Sequence, residues 1–347
     1  MNKTLQMIRD YGHEQVAFFN NEKAGLKCII AIHNTKLGPA VGGCRLYPYA
    51  CEEDALFDVL RLSRGMSFKN AAAGMPLGGA KGVIIADPSQ KTEALFEAYG
   101  ECVESLGGRY FTAEDVNTTT QDMDWVMRKT KQVVGKATVS GDPSPFTAIG
   151  TFDGIRAAAK MLNGTDDLHG VKIGLQGLGH VGFDLAQQLV AAGADLTVAT
   201  HSNRKNMEAM LALGAKELTD AELYKAELDI LAPCALGATL NYETIPELRC
   251  RAVAGAANNQ LLDEECGVML KKRGILYAPD FIINGGGVIN AGQEAYTVYD
   301  KENVLKQVHN IFNTVYDILD ESQKTGEPEG VIAQRFAENR IKNGLNA

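Results

Sequence analysis

The chain of 347 residues is 45% hydrophobic and 22% charged, the balance of an ordinary globular protein, and it is longer than one hydrophobic core usually supports, so two domains are expected. A net charge of −9 with no lysine- and arginine-rich run excludes the basic footprint of a nucleic-acid partner, and no apolar run approaches a membrane span. The 7 cysteines are scattered, none in a Cys-x-x-Cys pair or beside histidines at ligand spacing, so neither a disulfide framework nor a metal site is indicated, and with no long apolar core in MNKTLQMIRDYG a cytoplasmic protein is expected.

In the first part of the chain, Lys27 to His33 (KCIIAIH) reads as a strand, and 37–43 as a Gly/Pro-punctuated turn that lets backbone approach a ligand. A helix follows, with Leu56, Val59, Leu60 and Ser63 at spacings of three and four and with Glu52, Glu53 and Asp54 in its first turn. It carries Lys69 near its end and stops at Gly74 and Pro76. Gly78-Gly79-Ala80 then brings the backbone close to a neighbour before Lys81, and Val83–Ile85 reads as a buried strand. Lys69 and Lys81, twelve residues apart, flank this Gly-rich turn. Two cations facing one cleft would bind a carboxylate, and one of them would be pressed to lose its proton. Two solvated surface lysines satisfy the spacing equally well. A helix over 92–106 comes next, then RYFTAEDVNTTT passes from strand to loop and leaves Asp115 at a strand end, where acidic residues are usually only solvated.

Residues 141–150 have the composition of a hinge, and Thr147 leads into the helix TAIGTFDGIRAAAKML. The strand Val171–Gln176 runs straight into Gly177-Leu178-Gly179-His180-Val181-Gly182, which opens a helix with Val181, Leu185 and Leu189 on its apolar face, and a second strand occupies 196–199. In that context the Gly-x-Gly-x-x-Gly pattern is a dinucleotide fingerprint: Gly177 for the tight turn, Gly179 for approach of the pyrophosphate, Gly182 for helix–strand packing, and the helix N-terminus for the phosphate charge. Strands at 229–232, 252–254 and 274–277 fit the same sheet, each followed by a loop where ligands of open parallel sheets bind. Residues 303–324 read as a helix, GEPEG at 326–330 breaks it, and 331–341 forms a last one.

GMSFKNAAAGMPLGGAKGVIIADP, together with LGPAVGG (37–43), AEDVNTT (113–119), GDPSPFTAIGTF (141–152), QGLGHVG (176–182), APCALG (232–237), GAANNQL (255–261) and YAPDFIINGGGVIN (277–290), resembles the glutamate/leucine/phenylalanine/valine dehydrogenase family, most nearly its leucine dehydrogenase branch. The likeness runs in order along nearly the whole chain. It implies an α/β protein with an N-terminal substrate-binding and catalytic domain (1–140), a C-terminal Rossmann domain (141–330), an active site in the cleft between them, and a final helix (331–347) packing back on the first domain. It implies that Lys69 holds the substrate carboxylate with help from backbone at Gly42. Lys81 would activate the water that attacks an imine and so be partly neutral, its proton loosened by burial and by Lys69 and retained by Asp115. Asp115 would shuttle protons. Val41, Val288 and Ala291 would line the side-chain pocket, joined by Met66, which on its own reads as core. Asn259 would meet the substrate amino group or the cofactor. On the cofactor side stand Thr147, Leu178, His180, Val181, Ala235, Ala256, Asn258 and Asn284, the last near the carboxamide, and Cys234, which also reads as core.

Two departures from the family pattern stand out. At 199–205 no acid occupies the place where leucine dehydrogenases carry one for the adenosine ribose. Thr200, His201, Ser202, Arg204 and Lys205 stand there instead, so NADP is expected to be accepted and preferred over NAD. Ala291 replaces a larger valine, leaving a somewhat roomier pocket. The expected activity is reversible NAD(P)-dependent oxidative deamination of an apolar L-amino acid, branched aliphatic first and aromatic second, by a homo-oligomer. The alternative is a dinucleotide-binding regulatory protein without chemistry, against which the joint presence of Lys69, Lys81 and Asp115 argues.

Overall fold

The strand Leu26–Asn34 (β2) explains much of the first unit. In the computed structural model, which describes residues 3–201, 203–235 and 237–345, this unit comprises 3–142 together with Val288–Lys301 and 337–345. Its elements are α1 (Lys3–Tyr11), β1 (Gln15–Asn21), β2 (Leu26–Asn34), β3 (Ala40–Val41), β4 (Cys44–Tyr47), α2 (Glu52–Ala72), β5 (Gly78–Ile85), α3 (Glu93–Glu104), β6 (Tyr110–Phe111) and α4 (Thr120–Met127). The apolar run of β2 is continuous because both its faces are covered. Leu26, Cys28, Ile30 and Ile32 join a core with Phe96, Tyr99 and Val103 of α3, while Ile29 and Ala31 pack with Leu56, Val59 and Leu60 of α2. The sheet order is β1-β2-β5-β3-β6, with β4 also paired to β5. Strands β1, β2 and β5 are antiparallel, whereas β3 and β4 run parallel to β5.

The structure lengthens one expected strand in a way that matters. β5 begins at Gly78, not at Val83, so Lys81 lies within a central strand and not in a turn ahead of it. Gly78 and Gly79 pair with β3 and β2 there, and α2 lies so close that a Cβ on Gly79 would fall on the backbone of Ser67. Any side chain at Gly79 would push the Lys69-bearing helix off the Lys81-bearing strand. Asn70, fully buried on α2, donates from Nδ2 to the Gly78 carbonyl at 2.5 Å and pins the same contact.

The second unit, Pro143–Gly287 and Glu302–Phe336, contains α5 (Ser144–Asn163), β7 (Lys172–Gln176), α6 (His180–Ala191), β8 (Asp195–Ala199), α7 (Arg204–Ala212), β9 (Lys216–Glu217), α8 (Asp220–Lys225), β10 (Ile230–Pro233), β11 (Ala252–Val253), α9 (Glu264–Lys272), β12 (Leu276–Tyr277), α10 (Asp280–Ile283), α11 (Gly286–Gly292), α12 (Lys301–His309), α13 (Ile311–Thr325) and α14 (Glu329–Asn343). Its sheet is parallel throughout, in the order β12-β11-β10-β7-β8-β9, which is the 3-2-1-4-5-6 order of a doubly wound dinucleotide-binding sheet with its switch point between β7 and β10. The helix expected over 303–324 is two helices, α12 and α13, separated at Asn310. Helices α11 and α14 change unit along their length. From Val288 onward α11 belongs to the first unit, where its Gly292 lies against Met75 and Leu77, and from Ala337 α14 does too, where Arg340 donates to the carbonyls of Ala71 and Ala72 at the end of α2. Among the described residues no helix is long and apolar enough to cross a membrane.

Candidate active site

In the first unit the expected catalytic pair is in contact. Lys81, 5% exposed, places Nζ 2.9 Å from Oδ1 of Asp115. Asp115 follows the short strand β6 in a turn tied to its surroundings: its N–H donates to Thr118 Oγ1 at 2.8 Å, and Thr118 Oγ1 donates to the Cys44 carbonyl of β4 at 2.8 Å. Asn117, at φ 58, donates from Nδ2 to the Leu46 carbonyl. The AEDVNTT segment is therefore a clamp that fixes a carboxylate over Lys81 of β5 and Arg45 of β4. Burial pushes the Asp115 carboxyl up, but the Lys81 ammonium, the Arg45 guanidinium and the Val116 N–H together outweigh it and hold the group down at about 2.

Arg45 was not legible as a site residue. Its Nε lies 3.1 Å from Oδ2 of Asp115, and its Nη1 lies 2.8 Å from Oδ2 of Asp58 on α2. The available signal is alternation: an arginine between the buried Cys44 and Leu46 of a strand must project to the other face, toward the lysine-bearing side.

The remaining expected substrate residues are placed as follows. Lys69 is half-buried in the last turn of α2, above β5. Val41 is buried at the end of β3, and Gly42 follows it with no room for a side chain, since a Cβ there would fall on the Ala80 carbonyl and lie 3.3 Å from Met66 Cγ. The backbone help expected of Gly42 is limited by its own bonds: its N–H donates to the Phe111 carbonyl at 3.1 Å, and its carbonyl accepts from Tyr110 Oη at 2.8 Å. Val288 and Ala291 sit on α11, with Ala291 against the Gly135 turn.

In the second unit the glycine loop has the expected form. Gly177, at φ 99, turns directly after β7, and a Cβ on it would lie 2.9 Å from that of Ala235. A Cβ on Gly182 would strike the Gly177 carbonyl, whereas one on Gly179 would meet nothing within 4 Å, so the space beside Gly179 is left for a ligand. Gly179 also supplies no side-chain cap to α6, leaving the first amides, at His180, Val181 and Gly182, to an outside acceptor. Leu178 is held by Asn203 and Asn206, which both donate to its carbonyl, at 2.8 and 2.9 Å. Beyond β10, burial pushes the Cys234 thiol up to about 12, so it is a neutral wall of the loop. Asn284 donates from Nδ2 to Asn258 Oδ1 at 2.7 Å and to the Ala256 carbonyl at 3.2 Å, while its own Oδ1 is buried without a partner. An orphan acceptor beside a dinucleotide loop suits a carboxamide N–H, so the residues present fit a nicotinamide cofactor. Asn259 adopts φ 50, its carbonyl accepting from Ala238 N–H at 2.7 Å, and Gln260 behind it braces the loop through Gly255 and Ala257. Thr147, half-buried on α5, lies beside Gly287.

At the ribose end the expected groups face carboxylates. Ser202 lies outside the described residues. His201 Nε2 is 2.6 Å from Asp220 Oδ2, and Arg204 pairs with Glu217 at 2.6 Å, so both exposed groups expected to meet a phosphate are paired with carboxylates. A cavity of about 420 Å³ there is lined by Thr200, His201, Glu217, Leu218, Thr219, Asp220 and Glu222. The second oxygen of Asp220, Oδ1, is buried without a partner. These acids arrive from β9 and α8, elements with little apolar signal of their own.

Residues 13–132 match the sequence profile described as Glu/Leu/Phe/Val dehydrogenase, dimerisation domain, and 195–343 that of Glutamate/Leucine/Phenylalanine/Valine dehydrogenase. The chain is 47% identical over 347 residues to a leucine dehydrogenase of Bacillus cereus, covering 99% of this chain and 94% of the relative. It is 45% identical over 340 residues to a phenylalanine dehydrogenase of Bacillus thermotolerans, covering 95% and 88%. The crystal structure of L-tryptophan dehydrogenase from Nostoc punctiforme superposes with a TM-score of 0.89 at 44% identity, covering 98% of this chain and 99% of that one.

Proposed function

The chain belongs to the Glu/Leu/Phe/Val dehydrogenase family and is an amino-acid dehydrogenase using a nicotinamide dinucleotide; from that premise we propose how its residues divide the work. The reaction is the oxidative deamination of an apolar L-amino acid, with water, to a 2-oxo acid and ammonia, and its reverse. Lys69 holds the substrate carboxylate. Lys81 and Asp115 exchange the proton that must leave water as it adds to the imine and return to the departing ammonia. The bound cofactor supplies a hydride acceptor; Asn284 and the α6 N-terminus hold its carboxamide and pyrophosphate, and Asn259 meets the substrate amino group. The observation that carries this reading is the Lys81–Asp115 ion pair, an ammonium on a central strand and a carboxylate in the loop beside it at 2.9 Å.

The substrate pocket formed by Val41, Met66, Val288 and Ala291 offers no charge to a substrate side chain, which favours leucine and other branched aliphatic substrates. Phenylalanine and tryptophan dehydrogenases at comparable identity make an aromatic substrate the second reading. The protein acts as a homo-oligomer, consistent with the dimerisation domain matched by 13–132.

Between the two dinucleotides, the absence of an acid at the end of β8 favours NADP, but the carboxylates of Glu217, Asp220 and Glu222 around Thr200 argue more strongly for NAD. They repel a 2′-phosphate, and the unpartnered Asp220 oxygen is an acceptor for a ribose hydroxyl. The test follows reduced-nicotinamide absorbance with a panel of 2-oxo acids, ammonia and each cofactor. Turnover of 4-methyl-2-oxopentanoate with NADH at the highest kcat/KM is expected; no turnover of any 2-oxo acid, with cofactor binding intact, would reject the assigned roles.

A further inference from the structure

Asp115 does not face Lys81 alone. Its two oxygens are divided, Oδ1 to Lys81 at 2.9 Å and Oδ2 to Arg45 at 3.1 Å. Behind Arg45 the pattern continues: Nη1 meets Asp58 Oδ2 at 2.8 Å, Tyr49 Oη donates to the same oxygen at 2.6 Å, and Arg61 Nη2 reaches Asp58 Oδ1 at 3.0 Å. Lys81, Asp115, Arg45, Asp58 and Arg61 thus alternate in sign from the strand β5 to the middle of α2. The guanidinium is planar and bridges two carboxylates with two of its nitrogens, so it can turn toward neither without losing the other.

We propose that Arg45 is a positioning residue for proton exchange: anchored by Asp58 and Tyr49, it fixes the Asp115 carboxylate so that one oxygen serves Lys81, and it takes up part of the charge that would otherwise bind the Lys81 proton. The proposal rests on the reading of Lys81 and Asp115 as the proton-exchanging pair. A carboxylate with one cationic partner holds that partner's proton with its full charge. Shared between two cations it holds each less firmly, and it stays ionised when Lys81 is neutral, because Arg45 does not deprotonate. The other titratable groups facing Asp115 do not substitute for this. The Cys44 thiol on β4 is pushed up to about 12 by burial, the Tyr110 phenol on β6 is pushed up by burial as well, and both remain neutral. Glu114, next to Asp115 in sequence, is exposed.

The experiment compares Arg45→Gln, Arg45→Lys and Asp58→Asn with the native enzyme, measuring kcat/KM for amino-acid oxidation against pH, and cofactor Kd by reduced-dinucleotide fluorescence. In Arg45→Gln the ascending limb of the profile is expected to move about one unit to higher pH, with kcat falling about 10- to 100-fold and cofactor Kd changing less than about twofold. Guanidinium ion added to Arg45→Gln should restore turnover saturably, and Arg45→Lys should return the limb toward its native position. Asp58→Asn should move it the same way by less. An unmoved limb in Arg45→Gln, or no response to guanidinium, overturns the proposal even if kcat has dropped. Should Arg45→Gln fail to fold, the limb in Asp58→Asn and in Tyr49→Phe decides the matter by the same criterion. Asp115→Asn separates the premise: near-native turnover in that variant removes the pair itself, whereas an inactive Asp115→Asn beside an unmoved Arg45→Gln profile rejects Arg45 alone.

Discussion

The charged cluster on β4 and β5 and the glycine loop after β7 are built on opposite plans. The first is assembled from the tips of long side chains, with Lys81, Asp115, Arg45 and Asp58 interlocked and mostly buried. The second is assembled from main chain: a left-handed glycine, uncapped amides, and small residues from neighbouring loops. The side-chain site concentrates field and can move protons, but it depends on charge state. The main-chain site has no titrating group to lose, and it depends on space. Mutations should therefore divide them cleanly.

The largest effect belongs to Lys81→Ala, which removes proton chemistry and leaves the second unit untouched. Turnover should fall by about a thousandfold or more while cofactor Kd holds, as read by steady-state kinetics and fluorescence titration. Loss of both together would mean the two sites are not separable. Lys69→Ser should cost about 100-fold in kcat/KM for the amino acid and narrow its advantage over the decarboxylated amine, because the deleted charge pairs with the carboxylate. Equal discrimination before and after would remove Lys69 from the substrate site.

Gly177→Ala breaks the other plan. Alanine at φ 99 is strained, by about 1–3 kcal/mol, and its Cβ would press on Ala235. Cofactor Kd should rise about tenfold or more, with kcat at saturating cofactor largely kept.

Acid should also tell the two regions apart. His13 and His33 in the first unit bond Ser63 and Ser67 through one ring nitrogen each, both at 2.7 Å, and burial lowers them to about 3 and about 4. Both are neutral in the fold, and the unfolded chain takes up their protons below about pH 6.5. Their contribution is whole above that pH and is lost as pH falls toward 4 and then 3, about 2 kcal/mol for His33 after allowing for solvent at its edge. Asp115, held at about 2, adds a loss of the same sign only below about pH 4. Hydrogen exchange across pH 7 to 4.5 should show the first unit loosening before the second, and a His33→Gln variant should flatten that difference. The smallest effect is expected for Asp220→Asn, a rise in NADP use relative to NAD of less than about tenfold, because Glu217 and Glu222 remain. No gain in NADP binding would show that the acids beside Thr200 do not face the ribose.

Much of this was written in local pattern. The strand-to-glycine-to-helix run at 171–182 needs only its neighbours to form, and the strands expected at 229–232, 252–254 and 274–277 do join one parallel sheet with it. Lys69, Lys81 and Asp115 were legible through the motifs around them, and the close packing implied by Gly78-Gly79 is present. Where expectation and structure part, the cause is long-range. Strand β5 begins five residues earlier than its apolar content suggests, since glycines carry no β signal and are drawn into the ladder by β2 and β3 on either side. The 288–301 segment reads as continuous with the Rossmann domain yet packs on the first unit, where Glu294 accepts from Ser140 Oγ at 2.5 Å.

Length, periodicity and glycine spacing by themselves indicated two units and the glycine loop, because these rest on residues close in sequence, whereas Lys69, Lys81 and Asp115 were singled out only by the resemblance of the motifs around them to the family's. The tertiary structure alone decided which charges meet. Arg45 reaches Asp115 across 70 residues, and Glu217 and Asp220 come round to Arg204 and His201. An ion pair leaves no periodic trace in a sequence, since either partner alone is simply one more polar residue until the fold brings the other within about 4 Å.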